Sequence, residues 1–277
     1  MNYIDAKQAP LANTGQIKLH GAEGFAAMRA AGRIAAECID MLAPHVQAGI
    51  STQALDEHAF AFMCDKGALP APLNYRGFTK SICTSLNHVV CHGIPSKKRI
   101  LKEGDILNID VTAIYEGWHG DHSRMFAVGD VSVKAKRLMD ATYRAMMAGI
   151  EVVRPGARLG DIGAAIQTVA EAHDLSIVRD FCGHGLGQIF HDAPNIVHYG
   201  RAGEGLELRE GMLFTIEPML NLGKPDVKVL ADGWTAVTRD RSLSAQFEHS
   251  IGVTTDGVEI FTQSPSGLHE PHKTPIA

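Results

Sequence analysis

The chain contains no run of about 18 apolar residues, so no segment is expected to span a membrane. It also lacks a long basic stretch, and its formal net charge is −5. Binding to DNA therefore has no electrostatic footprint here. The opening residues, MNYIDAKQAPLANTGQIKLHG, hold no basic segment leading into an apolar one, so no secretory leader is expected. The five cysteines, Cys38, Cys64, Cys83, Cys91 and Cys182, are scattered and form no C-x-x-C pair. That excludes a zinc knuckle or a dithiol redox motif and fits a reduced, cytoplasmic chain. What remains is an ordinary soluble composition, 45% hydrophobic and 21% charged over 277 residues, enough for one large domain or two small ones. One count stands out: 14 histidines, several beside acidic residues, which directs the search to a metal.

Apolar residues recur at helical spacing from Ala22 to Leu42, and Pro44 stops the pattern. Ser51 is a natural N-cap for a second helix ending near Gly67. A proline-rich loop is expected at 69–73, then strands near 81–85, 89–93 and 105–115. Helices are expected again over 132–151 and 159–173, with strands from Ile177 onward and a tail over the last residues. The repeated order suggests an internal duplication. Val46-Gln-Ala-Gly49 resembles Val153-Arg-Pro-Gly156, and the segment 102–110 resembles 209–217, both at an offset of 107. Two similar αβ halves follow, with the site where they meet. The offset aligns Asp110 with Glu217 at the ends of matching strands. Two carboxylates brought together about such an axis repel unless a cation lies between them.

Further donors join these two. Side chains alternate along a strand, so Asn108, Asp110 and Thr112 share one face of 106–113. Gly117-Trp-His-Gly120 reads as a turn; Asp121, taken alone, reads as a turn residue, although a hairpin would return it towards Asp110. His184 lies among three glycines in Phe181-Cys-Gly-His-Gly-Leu-Gly187. A phosphate loop is the rival reading there, but no Lys-Ser/Thr pair follows. Glu217 and Glu248 sit in apolar strand-like runs poor in Arg and Lys, where an unpaired acid is costly to bury. Four carboxylates and one imidazole suit Mn, Fe, Co or Zn. Bridging carboxylates can hold two such ions about 3.5–4 Å apart, and the chemistry implied is hydrolysis.

In order and flanking strings, these residues resemble the pita-bread metallopeptidases, and most closely the type I, bacterial-type methionine aminopeptidases. The strings are Asn-Ile-Asp-Val-Thr112, His119-Gly-Asp121, Cys-Gly-His-Gly-Leu-Gly187, Thr-Ile-Glu-Pro218, Lys80-Ser-Ile-Cys83 and Val-Val-Cys-His-Gly-Ile-Pro95. The resemblance spans roughly residues 20–262. It implies an α+β pita-bread fold: two pseudo-twofold-related αβ halves with a central curved antiparallel sheet covered by helices. It divides the chain into an N-terminal extension (1–20), one catalytic domain (21–265) and a C-terminal tail (266–277).

The resemblance also implies roles. Asp110 would chelate one metal, Asp121 and Glu248 would bridge both, and His184 and Glu217 would complete the second ion's shell. Glu217 would also handle the proton of the attacking water. His191 would contact the scissile carbonyl, and His92 would stand near the scissile amide nitrogen. Tyr75, Phe78, Cys83, Phe190 and Trp234 match the methionine pocket, and Asn87, Val89 and Ser244 match a monovalent cation site. The implied cofactors are two divalent ions (Co, Fe, Mn or Zn) and one monovalent ion (Na or K). The implied partners are nascent polypeptide N-termini at the ribosome, with no DNA, no membrane and a monomeric enzyme in the cytoplasm. The loop 70–80 departs from the family pattern, with Thr79 where a proline precedes the lysine and Phe78 where tyrosine is common. Two rivals share the fold: an X-Pro aminopeptidase or prolidase, which carries a large N-terminal domain, and a binding protein that has lost metal ligands.

Overall fold

The computed structural model describes residues 2–268 and 270–271; the expected tail therefore lies mostly outside the described residues. The chain opens with two short strands, β1 (Tyr3–Asp5) and β2 (Ile17–Leu19), which pair in parallel. Helices α1 (Ala22–Leu42) and α2 (Thr52–Asp65) follow. The Ser51 hydroxyl caps α2 by accepting from the Ala54 N–H at 3.1 Å. The first half then lays down β3 (Leu69–Pro70), β4 (Cys83–Leu86), β5 (Val89–Cys91), β6 (Ile106–Tyr115) and β7 (Trp118–Ala127). Helices α3 (Val133–Glu151), capped by Ser132, and α4 (Leu159–Ala172) open the second half. The remaining strands are β8 (Ser176–Ile177), β9 (Gly183–Gly185), β10 (Asp192–Ile196), β11 (Leu213–Ile216), β12 (Met219–Asn221), β13 (Val227–Val229), β14 (Ala236–Thr238), β15 (Ser244–Gln246), β16 (Glu248–Val253) and β17 (Val258–Ile260).

Nine strands form one antiparallel sheet along the path β10-β9-β11-β16-β7-β6-β3, with β17 beside β16 and β4 beside β6. The pairing of β16 with β7, Glu248 opposite Ser123, joins the halves. The expected duplication is written into the backbone. Helix α4 occupies the span of α2 displaced by 107 residues. The isolated bridge Ser51↔Ile100 recurs as Arg158↔Glu207 at the same displacement. So do the hydrogen bonds from Gly49 N to Leu101 O and from Gly156 N to Leu208 O, both 2.9 Å.

One face of the sheet is apolar and takes the helices. Leu107, Ile109, Val111 and Ala113 of β6 pack with α1 and α2 in one core cluster, and Phe214 and Ile216 of β11 join the cluster containing α3 and α4. The opposite faces of the same strands carry Asn108, Asp110 and Thr112, and Thr215 followed by Glu217. The alternation expected from sequence is thus realised in both halves.

Two expectations are corrected. The hairpin turn is Glu116-Gly117, both with positive φ (48° and 81°), as a two-residue hairpin of this kind requires. Gly117-Trp-His-Gly120 is not the turn, because Trp118 already pairs with Tyr115. Asp121 consequently lies within β7, opposite Thr112, and is no turn residue. Asp110 also lies mid-strand rather than at a strand end, since β6 runs on to Tyr115.

Helix α1 lies unusually close to β7 at Gly120. A Cβ there would stand 2.3 Å from the Ala31 backbone. We expect Gly120→Ala to push α1 off the sheet and lower stability by about 3 kcal/mol, measurable by chemical denaturation. A loss below about 0.5 kcal/mol would contradict this packing.

Candidate metal centre

The polar sheet face opens into a cavity of about 330 Å³ whose lining includes Asp110, Asp121, His184, Glu217 and Glu248. Each arrives on a different element: Asp110 on β6, Asp121 on β7, His184 on β9, Glu217 after β11 and Glu248 on β16. Single donor atoms of Asp121, His184 and Glu248 all lie within 4.8 Å of one another. His184 Nε2 stands 3.6 Å from Asp121 Oδ2 and 3.7 Å from Glu217 Oε1. Among the described residues, His184 is the ion-pair partner of these carboxylates.

Neighbouring hydroxyls and amides aim the donors. Thr112 Oγ1 donates to Asp121 Oδ1 at 2.7 Å, and Thr215 Oγ1 donates to Glu217 Oε1 at 2.8 Å. Gln246 Nε2 donates to Glu217 Oε2 at 3.3 Å. The Ser250 hydroxyl clamps the Asp121 backbone, accepting from its N–H at 3.0 Å and donating to its carbonyl at 2.7 Å. The Glu217 N–H donates to Nε2 of the buried His198 at 3.1 Å, which puts the ring hydrogen of His198 on Nδ1. Burial holds that ring's pKa down at about 3, so it stays a neutral acceptor.

The electrostatics are those of a crowded anionic site. Burial raises Asp110 and Glu248 well above the ordinary carboxylate range, and the neighbouring acids raise them further. Glu217 is lifted to about 7 by burial, opposed by His184 and assisted by Asp121. Desolvation alone would lower His184, but Asp121 and Glu217 more than offset it and raise its pKa. A divalent cation relieves this repulsion while using every donor present. The donor set therefore fits a metal.

The two predicted catalytic histidines and the five predicted pocket residues line the same cavity. His92 has a left-handed backbone, φ 55°, and its ring meets Phe181 and Trp234 edge-on. His191 Nδ1 lies 3.0 Å from the Tyr75 hydroxyl, and its ring centroid is 4.3 Å from that of His184. Desolvation against the cavity wall, with His184 adding, lowers the His191 pKa and keeps the ring neutral. Phe78 meets Trp234 edge-to-face at 5.2 Å, and Tyr75 meets Phe190 at 5.0 Å. Asp232 supports Trp234, accepting from the N–H groups of Trp234 and Thr235 at 2.9 Å each. Cys83 is the cross-strand partner of Asp110. Away from the cavity, the Ser244 N–H donates to the Asn87 carbonyl at 2.9 Å, and Val89 follows on β5.

Thr112, Phe181 and Met219 also line the cavity, while Thr215 and His198 support Glu217; sequence reading did not assign these roles. Thr112 was findable, because it shares a strand face with Asp110. Nothing local marks His198.

Buried carboxylates gathered on one imidazole beneath an open cavity define a divalent-metal protein. Residues 26–255 match the model of metallopeptidase family M24, and the chain belongs to that family. It is 60% identical over 256 residues to a protein named methionine aminopeptidase from Rickettsia prowazekii, covering 92% of this chain and 98% of that one. The solved structure of a methionine aminopeptidase from R. prowazekii superposes with a TM-score of 0.88, covering 90% of this chain and all of that one. The methionine aminopeptidase of Escherichia coli is 47% identical over 247 residues, covering 89% and 94%. A prolidase from Pyrococcus furiosus, 20% identical with a TM-score of 0.70, shares the fold; the match covers 88% of this chain and 65% of that one.

Raised carboxylate pKa values mean that protons compete with the cation at low pH. Glu217, protonated below about 7 in the metal-free chain, must give up its proton to ligate. Apparent affinity for Mn²⁺ should therefore rise from pH 6 to pH 8, with proton release on binding, as read by calorimetry in buffers of different ionisation enthalpy. Affinity independent of pH over that range would contradict this electrostatic picture.

Proposed function

We propose that this chain is a metal-dependent aminopeptidase that removes the N-terminal methionine from proteins and peptides, preferring a small second residue. The observation that carries this reading is one cavity holding both the five-donor cluster and an aromatic, thiol-bearing wall. The identity to enzymes named methionine aminopeptidase supports it. Aromatic edges and a thiol suit a thioether side chain, so Tyr75, Phe78, Cys83, Phe190 and Trp234 form the methionine subsite.

Asp110, Asp121, His184, Glu217 and Glu248 would hold two divalent ions, Co, Fe, Mn or Zn. Asp121 and Glu248 would contribute to holding both ions, Asp110 to one, and His184 and Glu217 to the other. Such ions, when bound, lower the pKa of water and polarise a carbonyl. Glu217, aimed by Thr215 and Gln246, would take the proton of the attacking water and return it to the departing amine. His191 has Nδ1 engaged with the Tyr75 hydroxyl, so Nε2 faces the substrate and donates to the oxygen that becomes anionic. His92, held at the opposite wall against Phe181 and Trp234, contacts the scissile amide nitrogen. Asn87, Val89 and Ser244 would carry one Na or K ion near β5. The working setting is a cytoplasmic monomer acting on nascent N-termini at the ribosome.

A Met-Ala-Ser peptide should lose its methionine in a reaction that a chelator abolishes and Mn²⁺ or Co²⁺ restores. Cleavage confined to X-Pro bonds would place the chain with the prolidases instead, and no turnover with any divalent ion would make it a binding protein. His184→Ala and Glu217→Gln should each lower kcat/KM about a hundredfold or more while the circular dichroism spectrum stays unchanged; near-normal turnover in both would sink the ligand assignment. His191→Ala should lower kcat by roughly 10²–10³ with little change in KM. A rise in KM alone would assign His191 to ground-state binding.

A further inference from the structure

The N-terminal segment ahead of α1 lies outside the residues that match the family, which begin at 26. It is folded against the second half. The Tyr3 hydroxyl donates to the Glu207 carbonyl at 2.5 Å, the Arg209 guanidinium sits over the Tyr3 ring at 3.8 Å, and the His20 N–H donates to the Gly211 carbonyl at 2.8 Å. These contacts fix both ends of the β1–β2 pair.

Between those ends the segment grips His191 of the cavity wall and its neighbour Asp192. Asn13 Nδ2 donates to the His191 carbonyl at 3.0 Å. Lys18 Nζ pairs with Asp192 Oδ2 at 2.5 Å, with side chains only 11% and 7% exposed. Lys18 Nζ also donates to the Ala12 carbonyl at 3.1 Å, which ties the Asn13 turn to the same ammonium. Asp192 Oδ1 in turn accepts from the Ala193 N–H at 2.9 Å, holding the start of β10. The backbone of His191 is thus clamped from one side by Asn13 and from the next residue by Lys18. Its imidazole meets Tyr75 on the cavity side.

We propose that the segment Asn2–His20 is a strap that positions His191, with Lys18, Asp192 and Asn13 as positioning residues. A buried ion pair is stiff because neither charge can leave without stranding the other. Fixing an oxyanion donor matters because small displacements of such a group cost rate and not substrate affinity. The strap acts on kcat through one imidazole, and neither Asn13 nor Lys18 bonds a metal donor.

The catalytic part of this inference rests on the aminopeptidase reading, so its test has two readouts. The variants are Asn13→Ala, at the surface, and the paired Lys18→Met/Asp192→Asn, which removes both charges and strands neither. Each should lower kcat for Met-Ala-Ser at least fivefold, with KM and bound Mn²⁺ unchanged. In a His191→Ala background the same changes should cause no further loss. In the metal-free proteins, the ¹⁵N-histidine spectrum should show the His191 ring signal shifted or broadened and the His184 and His198 signals in place. Wild-type kcat in both variants, or losses that persist undiminished in the His191→Ala background, would overturn the strap. If the wild-type chain releases no methionine, the aminopeptidase reading fails, and an unchanged His191 ring signal then overturns the strap independently.

Discussion

Asp110, Asp121, Glu217 and Glu248 crowd one cavity around the donor imidazole of His184, and that crowding is the constraint on which the rest of the structure depends. Strands β6 and β11 bring an apolar face to the helices, and β6, β7, the end of β11 and β16 bring acids to the opposite side. Burial raises Asp110, Glu217 and Glu248, and the neighbouring acids raise them further. The scaffold resists by over-determining their positions. Thr112, Thr215 and Gln246 bond the carboxylates directly, and Ser250 and His198 hold the backbones beneath them. A site so unfavourable without a cation, and so thoroughly braced, is prepared for a cation.

The duplication explains how two ends of the chain converge on this point. Equivalent turns, bridges and helices recur at one displacement, so each half delivers a strand whose polar face carries an acid. The β7–β16 pairing then closes the distance between halves. The cavity walls come from less symmetric parts, the Tyr75–Phe78 loop, the His92 turn and the hairpin bearing Trp234. Chemistry and side-chain preference therefore reside in different layers of the fold. Phe78, in the loop expected to depart from the family pattern, lines the wall and is no part of the donor cluster.

Much of this was legible in the sequence, for physical reasons that can be stated. Helices α1 to α4 announce themselves by periodicity and by capping serines at 51 and 132, all local signals. The offset of 107 was legible because both halves kept their turn chemistry. Asp121 shows local and tertiary signals in conflict: taken alone, an aspartate just after Gly120 resembles a turn residue, yet the chain turns earlier, at Glu116-Gly117, and the hairpin returns Asp121 to the donor cluster. His198 and Ser250 escaped notice because their roles depend on neighbours distant in sequence. The N-terminal strap was invisible for a similar reason. Nothing in Tyr3–Asp5 marks it as the parallel partner of Ile17–Leu19, and the Lys18–Asp192 pair spans nearly the whole domain.

The central claim is that one set of five side chains, four buried and Asp110 half-buried, gathered at electrostatic cost, exists to hold divalent cations. Anomalous diffraction at the manganese edge from crystals grown with Mn²⁺ tests it most directly. Two anomalous peaks enclosed by Asp110, Asp121, His184, Glu217 and Glu248 are the predicted result. A cavity without an anomalous peak while manganese binds elsewhere on the chain would contradict the account.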